Sequence, residues 1–178
     1  MTSVESSGRK PGLRRAGQHL FFGVGGGIAS IVYGTVVVMA TLTAAYATEK
    51  HPWKLASIVA SAALVLWFAH VYSHALSESI VQKRRLSGAE LLAILQRELG
   101  ILLAAVAPIA MLVLGAIGVF RETTAVWLAI SVGLVTLAVE GVRFARIERL
   151  GLLGTLVAMG GNLALGLLVV ALKVAVAH

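Results

Sequence analysis

LLAILQRELGILLAAVAPIAMLVLGAIGV, residues 91–119, decides the fold. Beyond Glu98 no residue as far as Val119 carries a charge. A helix needs roughly 20 apolar residues to cross a hydrocarbon core of ~30 Å, and this stretch has that length. Four more runs of the same kind recur at Leu20–Ala47, Trp53–Leu76, Thr124–Val142 and Leu150–Leu172. Between them lie short connections with no room for a soluble domain. Runs this long fit helices and not the ~10-residue strands of a barrel. The expectation is an all-α, polytopic transmembrane helical bundle of five spans, with residues 1–178 forming a single transmembrane domain and residues 1–16 a polar, basic N-terminal arm.

Composition agrees. The 178 residues are 58% hydrophobic and 13% charged, with a mean hydropathy of +0.92. With no cysteine, disulfides, thiolate metal sites and cysteine nucleophiles are excluded. The first apolar run is too long for a cleaved signal peptide and follows a basic arm.

The net charge of +7 does not call for nucleic acid, because the positive residues follow the connections. Arg9, Lys10, Arg14, Arg15, Lys83, Arg84, Arg85, Arg97, Arg143, Arg146 and Arg149 fall on one side of the expected spans. Lys50, Lys54, Arg121 and Lys173 fall on the other. The positive-inside rule then predicts a cytoplasmic N-terminus and an outside C-terminus. It also predicts contact between the basic side and anionic lipid headgroups. Ala-, Val-, Gly- and Arg-rich usage suggests a bacterium, and hence a multi-pass protein of the inner (plasma) membrane.

Small residues mark the faces where helices approach closely. Gly26, Ser30 and Gly34 recur at four-residue spacing in the first span, as do Gly154, Ala158, Asn162 and Gly166 in the fifth. These faces are expected to serve helix packing and to offer surfaces for a homo-oligomer. Gly160-Gly161-Asn162, near the middle of the bilayer, marks a place where the fifth helix can loosen. Ser87-Gly-Ala-Glu90 resembles a capping box starting the third helix. Pro108, inside that span, is expected to kink it.

The ionisable residues carry the functional expectation. WFAHVYSHALSESI, residues 67–80, sets His70, His74 and Glu78 four apart on one helix face. Counting ~1.5 Å per residue, His70 and Glu140 lie at similar depth in the inner half of the core. His74 and Glu98 lie somewhat deeper. A charged carboxylate at the centre of a membrane helix costs ~2.5 kcal/mol or more unless paired, hydrated or protonated. Imidazoles with a reference pKa near ~6.5 exchange protons at physiological pH. The expectation is therefore that His70, His74, Glu78, Glu98 and Glu140 converge as transport or ion-contacting groups, with Arg97 and Arg143 as counter-charges. The function expected is a small channel or transporter for protons or cations.

Two alternatives stand beside it. One is a non-transporting scaffold or partner subunit whose polar cluster fixes helix packing. The other is a Zn²⁺ or other divalent metal site on His70 and His74, since histidines at i and i+4 can share one ion. No other cofactor is expected. An enzyme is not expected either: the chain has no Gly-x-Ser-x-Gly elbow. Its five histidines are too few for a membrane di-iron centre.

Overall fold

The computed structural model describes the backbone of residues 12–176 and the side-chain surroundings of residues 27–171. The described chain is all-helical: α1 Gly12–Ala45, α2 Pro52–Gln82, α3 Gly88–Ala116, α4 Glu122–Ile147 and α5 Leu152–Val176. All five are long and apolar enough to cross a membrane.

Local chemistry sets the ends of these helices. Pro52 opens α2, behind His51, whose ring nitrogen accepts from the Trp53 N–H. Lys83 closes α2 in the left-handed region at φ 51°, so the helix runs six residues past the apolar stretch and carries Glu78 inside it. The Ser87–Glu90 capping box is complete, with each side chain bonded to the other's backbone N–H. Pro108 is buried within α3, and the helix continues through it. α5 likewise runs unbroken through Gly160 and Gly161, against the expectation of a loosened turn. An unbonded backbone group at membrane depth costs several kcal/mol, which favours an intact helix.

Packing identifies α3 as the central element. It lies against α1, α2 and α4, whereas α5 packs chiefly on α4 and touches α1. α2 and α4 barely meet. Consecutive helices run antiparallel: His74 of α2 meets Glu98 of α3 near one end, and Pro52 meets Gly115 at the other. The connections 83–87 and 148–151 therefore share one end of the bundle. This end carries Lys83, Arg84, Arg85, Arg146 and Arg149, and is called the basic end below.

The buried core is built from Val38, Met39 and Leu42 of α1, Leu55 and Val59 of α2, Leu112 of α3, and Val126 and Leu137 of α4. Large apolar side chains also point outward, among them Val65, Phe68, Tyr72, Leu152 and Leu153. Lipid solvates such groups as well as a protein core does, so close backbone packing has to hold the helices together. Ser30 and Gly34 supply that packing between α1 and α3. A Cβ on Gly34 would lie 2.8 Å from Ile101 Cα, and Gly100 faces Ser30 in return. The Ser30 hydroxyl donates across the seam to the Arg97 carbonyl at 3.2 Å. Gly26 lies outside the residues whose side-chain surroundings are described.

α5 uses its small face against α4. Gly166 meets Leu137 and Leu134, Ala158 meets Gly141, and the Asn162 amide donates to the Leu137 carbonyl at 3.2 Å. At Gly154 the nearest atoms belong to Leu150 of the adjoining turn. Both small-residue faces are thus largely occupied within one chain, so the oligomer contact expected of them needs another surface.

Candidate functional site

The five expected site residues separate into two groups, because their helices are not all neighbours. α2, α3 and α1 hold the first. Glu98 lies in the third turn of α3, 4% exposed. Arg97 beside it donates from Nε to Glu98 Oε1 at 3.1 Å. His74 of α2 brings Nε2 to within 3.5 Å of the same oxygen. One buried carboxylate oxygen thus meets a permanent cation from its own helix and a titratable ring from the next.

His70 stands one turn further along α2. Its ring centroid is 6.3 Å from that of His74 and 4.8 Å from that of Tyr33 on α1. Its Nδ1 lies 3.3 Å from the Leu66 carbonyl, a hydrogen bond when that nitrogen carries the proton. In that tautomer Nε2 is the ring's acceptor. Tyr33, His70, His74 and Glu98 therefore form a ladder of exchangeable-proton groups running from α1 across α2 to α3. Another turn outward, Trp67 Nε1 is buried and has no acceptor among the described residues. A buried donor left unpaired costs about 1–3 kcal/mol unless water or another ligand bonds it.

Glu78 takes no part in the ladder. It accepts from the Gln82 side-chain amide at 3.0 Å, one turn along its own helix. Glu140, 5% exposed, forms the second group. Both its oxygens accept from Arg143 Nη1, at 2.8 and 3.0 Å, within α4. Gly141 next to it presses on the α5 backbone. The expected meeting of His70 with Glu140 gives way to these two separate sites, since the helices that carry them barely touch. Arg97 and Arg143 do act as the counter-charges expected of them.

Among the described residues no three His, Asp or Glu side chains come close enough together to hold a metal ion. His70 and His74 supply two imidazoles tilted by 52°, with a single carboxylate in contact with one of them.

The helix wheel puts Trp67 on the face of His70 and Gly133 on the face of Glu140, but sequence reasoning overlooked Tyr33 and the seam glycines Gly100 and Gly141. Tyr33 gives no signal within its own helix, because its pairing depends on which helix packs beside α2. Comparison of the chain with family models, with curated proteins and with solved structures gives no match.

Proposed function

We propose that this protein moves protons or cations across a membrane, and that Glu98 with His74 and His70 carries them. It would act as a channel or transporter and not as an enzyme. One observation carries the reading: a carboxylate 4% exposed on a membrane-length helix shares an oxygen between an arginine and a histidine of another helix. A structural pair is complete with Arg97 alone. Adding His74, with His70 and Tyr33 in line behind it, places groups that gain and lose protons next to a buried charge. The unpaired Trp67 N–H one turn outward suits a hydrated continuation of the ladder.

The distribution of Lys and Arg supports a cytoplasmic basic end, with the N-terminus inside and the C-terminus outside. The ladder would then open toward the cytoplasm of a bacterial cell, from the inner membrane. A homo-oligomer fits the open side of α5, where Gly160 and Gly161 have no neighbour within 4 Å.

A second reading has its own observation. The Ser30 hydroxyl ties α1 to the Arg97 carbonyl of α3, and the Arg97 side chain holds Glu98, which His74 of α2 also reaches, so these residues fasten three helices. On that reading the protein is a scaffold or partner subunit. Proton and cation flux into liposomes containing the purified chain separates the two. Transport predicts flux above empty liposomes between pH 5 and 8, lost in Glu98→Gln and reduced in His74→Ala. Flux equal to empty liposomes, or unchanged in both variants, sinks the transport reading. A loss of thermal stability in those variants without any flux to lose supports the scaffold.

A further inference from the structure

Away from the ladder, a groove of about 330 Å³ runs between α4 and α5 near the basic end. Its walls are Ala138, Val139, Val142, Arg143, Arg146 and Met159. Val139, Val142, Arg143 and Arg146 follow the i, i+3, i+4, i+7 spacing of a single helix face. The stripe therefore covers ~10 Å along α4; the groove itself is apolar, lined at one end by the aliphatic stems of Arg143 and Arg146, whose charged heads lie at its mouth. Gly141 lets α5 approach α4 closely beside the groove: a Cβ there would lie 2.7 Å from Met159 Cα.

We infer that this groove binds one anionic phospholipid, with an acyl chain along Val139, Val142 and Met159 and the phosphate between Arg143 and Arg146. Charge complementarity selects the occupant. Arg143 spends only Nη1 on Glu140, so Nε and Nη2 make no protein bond among the described residues. Arg146 has no acidic partner among them at all. Two arginines with free donors at the mouth of an apolar groove match a phosphate ester that carries its own hydrocarbon. A soluble phosphate would leave the apolar end unused. A zwitterionic lipid would bring its own cation against the two arginines.

Native mass spectrometry of the full chain in detergent, titrated with phosphatidylglycerol and with phosphatidylcholine, tests this. The wild type should retain phosphatidylglycerol in preference to phosphatidylcholine. Arg146→Gln should weaken phosphatidylglycerol retention roughly five- to ten-fold. Val139→Trp, which fills the groove without touching charge, should weaken both lipids. Arg85→Gln, an equal charge change at the same end of the bundle, should leave retention unchanged. The inference is overturned if Arg85→Gln acts as strongly as Arg146→Gln, which is diffuse attraction. It is overturned equally if Val139→Trp has no effect, or if glycerol 3-phosphate displaces the lipid at matching concentration, since either result leaves the headgroup acting alone.

Discussion

The bundle buries two carboxylates among its described residues and satisfies them in different ways. On α4, Glu140 is neutralised by Arg143 three residues along its own helix, a partner that stays charged at every relevant pH. At the α2–α3 seam, Glu98 shares itself between Arg97 and His74, and His74 is charged only when protonated and belongs to a different helix. In the first arrangement helix α4 brings both members. The second joins two helices through one carboxylate. Burial and charge are alike in the two places, so the partner's chemistry and the helix that supplies it make the difference.

Removing Arg143 is the harshest test of that contrast. Arg143→Ala leaves Glu140 buried with no other cation in contact among the described residues. Breaking a buried pair costs about 3–5 kcal/mol, and the half-exposed guanidinium puts this case near the lower figure. A drop in thermal midpoint in detergent is expected, larger than that of Arg97→Ala measured at the same pH. A drop no larger than that of Arg97→Ala means that Glu140 has another partner.

The close backbone contacts of the α1–α3 and α4–α5 seams come next. Gly34→Ala would set a methyl 2.8 Å from Ile101 Cα, and Gly141→Ala 2.7 Å from Met159 Cα, both against backbone that cannot step aside. Overpacking of this kind costs about 1–3 kcal/mol. Gly161→Ala, with nothing within 4 Å, is the control and should be neutral or slightly stabilising, since alanine suits a helix better. If all three behave alike, helix propensity and not close approach governs these glycines.

Arg97→Ala is expected to be milder than Arg143→Ala, about 1 kcal/mol at pH 8, because His74 still reaches Glu98. Replacing His74 by Ala as well should deepen the loss by more than His74→Ala costs alone, since Glu98 then has no cation or imidazole in contact among the described residues. Strictly additive losses mean that His74 does not pair with Glu98, and the contrast between the two carboxylates collapses.

Much of this was legible before any coordinates. Runs of apolar residues marked five helices, Ser87 and Glu90 announced a capping box, and Gly34, Ser30, Asn162 and Gly166 marked the faces that do pack. Each of these signals is written in one helix and needs no neighbour to be read. The grouping of the ionisable residues was not legible in the same way. Depth along a helix put His70 level with Glu140, but depth says nothing about adjacency, and α2 and α4 turn out to lie on different sides of α3 and α1. Tyr33 and Gly100 were missed for the same reason, because their roles exist only once α1 is known to lie against α2 and α3.

Glu49, in the connection between α1 and α2, supplies the smallest expected effect and an aqueous counterpart to both buried acids. Its carboxylate accepts the His51 and Lys50 backbone N–H groups at 2.9 and 3.0 Å and pairs with Lys54 at 3.1 Å. The His51 N–H first, and the Lys54 side chain after it, hold the Glu49 carboxyl below its ordinary range. A lowered pKa in the folded state means that the contribution is present above the unfolded value and fades as pH falls through the folded one. Glu49→Gln should therefore lower the thermal midpoint slightly at pH 6, and the two proteins should converge as pH is taken down toward 3. Glu49 has more partners than Glu140 and contributes less, because water competes for each of them. A gap that persists at pH 3 means that the loop depends on the shape of the side chain and not on its charge.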